Sequence, residues 1–230
     1  LSDENVLTFV TAPDYETKTS YSINLSLTDG IASFTKDITI AVTNVNDVAP
    51  EFTSSATFSV DENQSAITTV TATDAEGDSV TFSISGNELS ITSAGILTFK
   101  TAPDYETKSS YTATITANDG INSVTQDITV SINNLNDNSP SFISSASFSA
   151  AENQKAIGTV VATDADGDAV TYSVSGSELE ITTAGVLTFK TAPDYETKTS
   201  YTATVTATDG TNSSTQEITL SITNVDEAPL

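Results

Sequence analysis

Apolar and polar residues alternate with a period of two along most of this chain. Val80, Phe82 and Ile84 are separated by Thr81 and Ser83, and Tyr111, Ala113, Ile115 and Ala117 by Thr112, Thr114 and Thr116. Ile128, Val130 and Ile132 repeat the pattern around Thr129 and Ser131. Such alternation, rich in β-branched residues and with one polar face, predicts half-buried antiparallel strands. Between Pro50 and Asn138 the predicted strands are 55–60, 66–73, 79–85, 88–91, 96–99, 110–118 and 124–133, the last two flanking an Asp119-Gly120 turn. About seven short strands in roughly 90 residues, with no helical pattern of useful length, predict a two-sheet sandwich.

The pattern is also written more than once. Leu97 to Lys108 recurs letter for letter at Leu187 to Lys198, and the copy at Leu7 to Lys18 differs only at Val10. Asp14, Asp104 and Asp194 are therefore spaced by 104 − 14 = 90 and 194 − 104 = 90 residues. That period is too long for a solenoid and suits a whole small β-domain. The expected organisation is an incomplete repeat over 1–47 followed by complete repeats over 50–138 and 140–229. Leu1 to Asp47 aligns with Ile91 to Asp137, the last strands of a sandwich. Tyr21, Ile23, Leu25 and Leu27 should point inward without a partner sheet, making this half less ordered or dependent on pairing elsewhere. The chain starts in mid-pattern, as a segment of a longer protein would.

Composition narrows the chemistry. A net charge of −24, from 31 acidic residues against 7 lysines, disfavours nucleic acid and anionic membranes as partners. Absent Cys and His exclude disulfides and the usual zinc ligands. No apolar run reaches the ~20 residues of a membrane span, so no membrane insertion by this segment is expected. Thr-rich strand faces read as solvated surface rather than as an ice- or sugar-binding array.

The acidic residues recur in register. An Asp-Tyr-Glu triplet supplies Asp14/Glu16, Asp104/Glu106 and Asp194/Glu196, and a Glu-Asn pair supplies Glu62-Asn63 and Glu152-Asn153. A third signal gives Asp74, Glu76 and Asp78, then Asp164, Asp166 and Asp168; an Asp-Gly turn gives Asp29, Asp119 and Asp209. The linkers run Asn44 to Pro50 and Asn134 to Pro140. Each signal alone is weak, because acidic turns more often cap backbone than bind metal. Their joint recurrence, in oxygen ligands without nitrogen or sulfur, suits Ca²⁺. The Asp164 run resembles the start of an EF-hand loop, but no helix pattern flanks it and Ser175 stands where the twelfth-position Glu belongs.

Taken in order and in tandem, these elements resemble the cadherin family, specifically the cadherin-like repeats of large bacterial surface proteins. Asn134 to Pro140 follows the family linker DxNDNxP except at its first position; Glu-Asn resembles the PEN element, Asp-Tyr-Glu the DRE, and Asp164/Asp166 the DxD. The resemblance implies an all-β fold: tandem seven-stranded Greek-key β-sandwiches, cadherin- or Ig-like, of about 90 residues each. It also implies the ligand sets. Around the second linker these are Glu62, Asp104, Glu106, Asn136, Asp137, Asn138, Asp164, Asp166 and Asp209, whose seven carboxylates face up to three Ca²⁺, −7 against +6. Around the first they are Asp14, Glu16, Asn46, Asp47, Asp74, Glu76 and Asp119, with Glu76 replacing an Asp. At the end, Glu152, Asp194 and Glu196 form a weaker set beside a linker one residue shorter.

The leading functional expectation is therefore a calcium-binding, extracellular, rigid spacer of a cell-surface adhesin, whose partners are Ca²⁺, neighbouring repeats, and a cell-surface protein or glycan. The family's strand-swap mode of homophilic adhesion docks a Trp, and with no Trp in this chain it is not expected here. The alternative is a calcium-dependent carbohydrate-binding module of a secreted protein. An enzyme is not expected: a carboxylate pair such as Asp104/Glu106 could serve a glycosidase, but a triplet copied three times argues for architecture.

Overall fold

A computed structural model describes residues 6–227, and all 20 strands among them occur without a helix. The limits expected at residues 1 and 229 lie outside the described residues. The chain divides into two compact units, Leu1–Asp104 with Lys108–Asn133, and Tyr105–Thr107 with Asn134–Leu230.

In the first unit, β1 (Ser20–Thr28) and β2 (Ser33–Ala41) form an antiparallel hairpin. Nine strands follow: β3 (Glu51–Phe52), β4 (Thr57–Asp61), β5 (Ala66–Thr69), β6 (Ala72–Thr73), β7 (Thr81–Ile84), β8 (Leu89–Ile91), β9 (Ile96–Phe99), β10 (Ser110–Asn118) and β11 (Ser123–Asn133). One sheet has the order β4-β11-β10-β7 and its partner the order β5-β9-β8, with β3 paired to β6 alone. Alternating apolar residues from both sheets enter one core; Val70, Leu89, Leu97, Phe99, Ile115, Ile128 and Val130 are buried there. Each such side chain taken out of water contributes about 1.5–3 kcal/mol.

The second unit repeats the plan with β12 (Ser141–Phe142), β13 (Ser147–Ala151), β14 (Ala156–Thr159), β15 (Ala162–Thr163), β16 (Thr171–Val174), β17 (Leu179–Ile181), β18 (Val186–Phe189), β19 (Ser200–Thr208) and β20 (Ser213–Thr223). Its sheets have the orders β13-β20-β19-β16 and β14-β18-β17, with β12 on β15. Val160, Leu179, Leu187, Phe189, Val205, Ile218 and Leu220 form its core.

Besides β3 (Glu51–Phe52), which lies outside the expected strands, two details differ from the strand expectations. The strand predicted over 66–73 is two, because the chain changes sheets at Val70: β5 pairs with β9 and β6 with β3. At the break Val70 N–H donates to Gly95 O, and Val70 O presses on Gly95 so closely that a Cβ there would lie 2.2 Å away. Gly95, at φ +87, admits that approach because it has no side chain. Secondly, β4 runs parallel to β11 rather than antiparallel. Period-two alternation is the same in both pairings, so the sequence pattern does not distinguish them.

The half-repeat keeps the inward register but lacks a cover. Leu7 is 45% exposed, whereas its counterparts Leu97 and Leu187 are 0% exposed; Leu27 is 71% exposed against 0% for Ala117 and Ala207. Tyr21, Ile23 and Leu25 are half-buried. Phe9 and Tyr21 still meet edge to face, with ring centroids at 5.0 Å, as Phe99 and Tyr111 do. Leu187→Ala should therefore cost about 2–5 kcal/mol in denaturant unfolding of the second unit, while Leu7→Ala should cost under about 1 kcal/mol. Amide exchange should be faster from Tyr21 to Leu27 than from Tyr111 to Ala117; equal protection would show that the half-repeat is covered in solution.

Candidate metal centres

Each acidic signal sits on a backbone feature that aims it. The Glu-Asn pair follows β4 and β13. Asn63 and Asn153 adopt left-handed backbone, at φ 64 and 61, a conformation Asn tolerates better than most residues. Their N–H groups donate to Pro103 O and Pro193 O, while Glu62 and Glu152 N–H donate to Asn133 O and Thr223 O. This reversal turns both glutamates inward, and each is only 3% exposed. Glu152 then accepts from Tyr195 N–H and Val225 N–H, both at 2.8 Å.

The triplet is a turn closed by its own Asp. Asp14 Oδ1 accepts from Glu16 N–H at 3.1 Å and Oδ2 from the Thr17 hydroxyl at 2.8 Å; Asp194 does the same with Glu196 and Thr197. The hydroxyl, with the turn amides, holds both carboxyls below their ordinary range. The intervening Tyr15, Tyr105 and Tyr195 are half-buried, and Tyr195 packs on the core of the second unit.

In the first unit the expected ligands of the first linker converge. Carboxylate oxygens of Glu16, Asp47 and Glu76 lie within 4.8 Å of one another, as do those of Asp74, Glu76 and Asp78. Glu76 Oε1 accepts from Asp47 N–H (3.1 Å) and Val48 N–H (3.0 Å), and Asp74 Oδ1 from Glu76 and Asp78 N–H, both at 3.0 Å. Asp119 Oδ1 accepts from Ile121 and Asn122 N–H at 2.8 and 2.7 Å. Asn122 in turn donates to Asn46 Oδ1 at 2.7 Å, tying the turn to the linker. Loss of solvent acts to raise Asp119, but these donors outweigh it and keep the carboxyl below its usual range. Glu16 is the opposite case: its own backbone amide acts to lower it, yet loss of solvent and the carboxylates of Asp14 and Glu76 leave it raised.

The second unit holds the corresponding arrangement. Asp166 Oδ2 accepts from Asp137 N–H (3.1 Å) and Asn138 N–H (2.8 Å). Asp164 Oδ1 accepts from Asp166 and Asp168 N–H, and Asp209 Oδ1 from Thr211 and Asn212 N–H. Asn212 Nδ2 reaches Asn136 Oδ1 at 2.7 Å and Asn138 O at 3.1 Å. Desolvation acts to raise Asp166 and Asp209, and hydrogen bonds, from Asn138 to the one and from Asn212 and Thr211 to the other, prevail and lower both. Glu106 belongs to this unit and accepts from Asn138 Nδ2 at 3.2 Å, whereas Glu62 and Asp104 belong to the first. At the chain end, Glu152, Asp194 and Glu196 oxygens lie within 4.8 Å of one another.

A shared asymmetry runs through these residues. In five of them one oxygen is tied to backbone amides, while the other, Asp74 Oδ2, Glu76 Oε2, Asp119 Oδ2, Asp164 Oδ2 or Asp209 Oδ2, is buried and meets no donor. Asp119 is 9% exposed. An anionic oxygen turned from solvent without a donor or counter-charge is unfavourable, so the donor set fits a hard divalent cation. Sequence reasoning left out Asn122 and Asn212, the two amides that bind linker to turn. Their recurrence three residues after Asp119 and Asp209, where the half-repeat has Ala32 instead, was the available signal.

Comparison with known proteins agrees with this architecture. A family model described as a bacterial Ig domain matches residues 136–223. Mouse protocadherin Fat 4 is 36% identical over 194 residues, covering 73% of this chain and 4% of that protein. The chain thus spans only a small fraction of the relatives it matches. Chitinase A of Pseudoalteromonas piscicida is 32% identical over 133 residues, 54% of this chain and 15% of the chitinase. Among solved structures, mouse cadherin-23 EC22–24 superposes with a TM-score of 0.73 at 23% identity, covering 94% of this chain and 78% of that one. The protein is a run of cadherin-like domains. That class is extracellular, and no helix among the described residues is long and apolar enough to cross a membrane.

The left-handed Asn predicts a local energetic signature. Asn153→Ala should destabilise the second unit by about 1 kcal/mol, the cost of placing a Cβ-bearing residue without a compensating amide in that conformation. Asn153→Gly should be close to neutral, both being read from urea midpoints.

Proposed function

We propose that these repeats bind Ca²⁺ at their linkers and serve as stiffened spacer modules of an extracellular adhesin, within the repeat limits 1–47, 50–138 and 140–229. The observation that carries this reading is the set of five buried carboxylate oxygens without donors, all in residues expected as ligands. The first linker shows the logic within one unit. Asp14 and Glu16 come from the half-repeat, Asn46 and Asp47 from the linker, and Asp74, Glu76 and Asp119 from the following repeat. Bound Ca²⁺ would supply the positive charge that these oxygens lack, in the six- to eightfold oxygen coordination it favours. The residues themselves bring both flanks of the joint to one place, with the backbone amides of Asp47, Val48, Ile121 and Asn122 orienting the ligands. Deprotonated carboxylates crowded together repel by about a kcal/mol or more per close pair, and that repulsion opens the joint when no cation is present. Around the second linker we assign Ca²⁺ binding to Glu62, Asp104, Glu106, Asn136, Asp137, the backbone carbonyl of Asn138, Asp164, Asp166 and Asp209.

The bacterial Ig match supports an origin in a bacterial surface protein. We read the segment as non-catalytic, since Asp14 and Asp194 spend their oxygens on identical turn contacts rather than on facing a substrate. The similarity to part of a chitinase favours a second reading, a calcium-dependent carbohydrate-binding module in a secreted protein. A glycan array with and without Ca²⁺ separates the two: retention of a glycan by the chain in Ca²⁺ alone would favour the second.

Calorimetry of the full chain should register Ca²⁺ uptake at millimolar or lower concentrations. Asp119→Asn, which preserves shape and removes the charge, should weaken one class of sites by roughly tenfold or more. Small-angle scattering should register a gain in flexibility on chelation, with Asp47→Ala and Asp137→Ala reproducing the chelator while each sandwich stays folded. Absence of any uptake by the unsubstituted chain would sink the proposal.

A further inference from the structure

The two linkers match in backbone hydrogen bonding and differ in three side chains, Val45/Leu135, Val48/Asn138 and Ala49/Ser139, of which the second bears on the carboxylates. Asp47 and Val48 present their N–H groups to Glu76 Oε1 as Asp137 and Asn138 present theirs to Asp166 Oδ2. The Asn138 side chain then does something Val48 cannot. Its Nδ2 stands 2.9 Å from Asp137 Oδ1, 2.9 Å from Asp166 Oδ1 and 3.2 Å from Glu106 Oε2. One amide nitrogen thus sits among oxygens of three carboxylates. That is the placement of a cation among oxygen ligands, at distances longer than the 2.3–2.6 Å of Ca²⁺ coordination. At the first linker the counterpart oxygens of Glu16, Asp47 and Glu76 lie within 4.8 Å of one another, and Val48, 40% exposed, has only methyl groups to offer them.

We infer that the Asn138 amide is a built-in stand-in for a cation, holding the carboxylates of the second linker together when no ion is bound and competing with the ion for them. The inference rests on the calcium reading above and adds a difference between linkers to it. Where Asn138 partly offsets the repulsion, the loop at 134–140 keeps its shape without Ca²⁺, and binding requires the amide to turn away from Asp137, Asp166 and Glu106. Where Val48 stands, nothing but an ion relieves the crowding, so order around Glu16, Asp47 and Glu76 follows Ca²⁺ directly. A chain built this way loosens at the first linker before the second as the ion is withdrawn.

Calorimetric titration of Ca²⁺ into the full chain and its Asn138→Val and Val48→Asn variants tests this, since the backbone donors survive in both. Asn138→Val should tighten one class of sites about tenfold with the ion count unchanged, the worth of one or two hydrogen bonds to charged acceptors. Val48→Asn should weaken one class by a similar factor. In chelator, protease should cut within 134–140 several-fold faster in Asn138→Val than in the unsubstituted chain. Weaker uptake by Asn138→Val would mean that the amide oxygen is a ligand, and would overturn the inference. Unaltered affinity in both variants would overturn it as well, leaving the calcium reading in place. No uptake by the unsubstituted chain would remove both.

Discussion

Five carboxylates beside the linkers of these β-sandwiches, each with one oxygen tied to backbone amides and the other buried without a donor, are the constraint around which this protein is organised. Backbone amides can donate to only so many oxygens in a turn. At Asp74, Asp119, Asp164 and Asp209 the local N–H groups are consumed by Oδ1, and Oδ2 is left facing inward without a donor. An oxygen so placed is a cost in the isolated chain and an asset once a positive charge is near. The scaffold carries that cost because its stability comes from elsewhere, from the apolar core in which Leu97, Ile115, Val130 and their counterparts Leu187, Val205 and Leu220 are fully buried.

The strands position the acidic residues by ending where they do. Glu62 and Glu152 follow β4 and β13 at a left-handed Asn, while Asp119 and Asp209 open the tight turns between the two longest strands. Rigid pairing over the nine residues of β10 and of β19 fixes those ends. Lys108 and Lys198 lie over Tyr111 and Tyr201, 4.4 and 4.1 Å from the ring centroids, and pair with Glu88 and Glu178. These contacts tie the stretch after each triplet to its own sandwich. Lys18 keeps the cation–π contact with Tyr21 at 4.4 Å, while Leu7 and Leu27 on the inward register of the half-repeat stay exposed.

Much of this was legible along the chain. The period of 90 residues, the alternating strands and the acidic signals all lie in local sequence, because strand patterning and turn chemistry act over a few residues. The exposure of Leu27 followed from the strands expected of the half-repeat, whereas that of Leu7 and Phe9 came from the structure. The split at Val70 was not legible, because apolar patterning continues through it; only the close approach of Gly95 shows where the chain leaves one sheet for the other. The parallel partnership of β4 with β11 was hidden for a related reason, since side chains alternate identically in either direction.

The candidate centres divide in the same way. Sequence alone determined which residue types recur and at what spacing, and hence that oxygen ligands for a hard cation were present in sets. Tertiary structure decided which oxygen of each carboxylate is left without a donor, that Asn122 and Asn212 join turn to linker, and that Asn138 places its amide nitrogen among three carboxylates where Val48 places methyl groups. The joining of turn to linker and the placement of the Asn138 amide against Asp166 depend on contacts between residues 28 to 76 positions apart, which no local pattern encodes and which only the packing of two sheets about one core establishes.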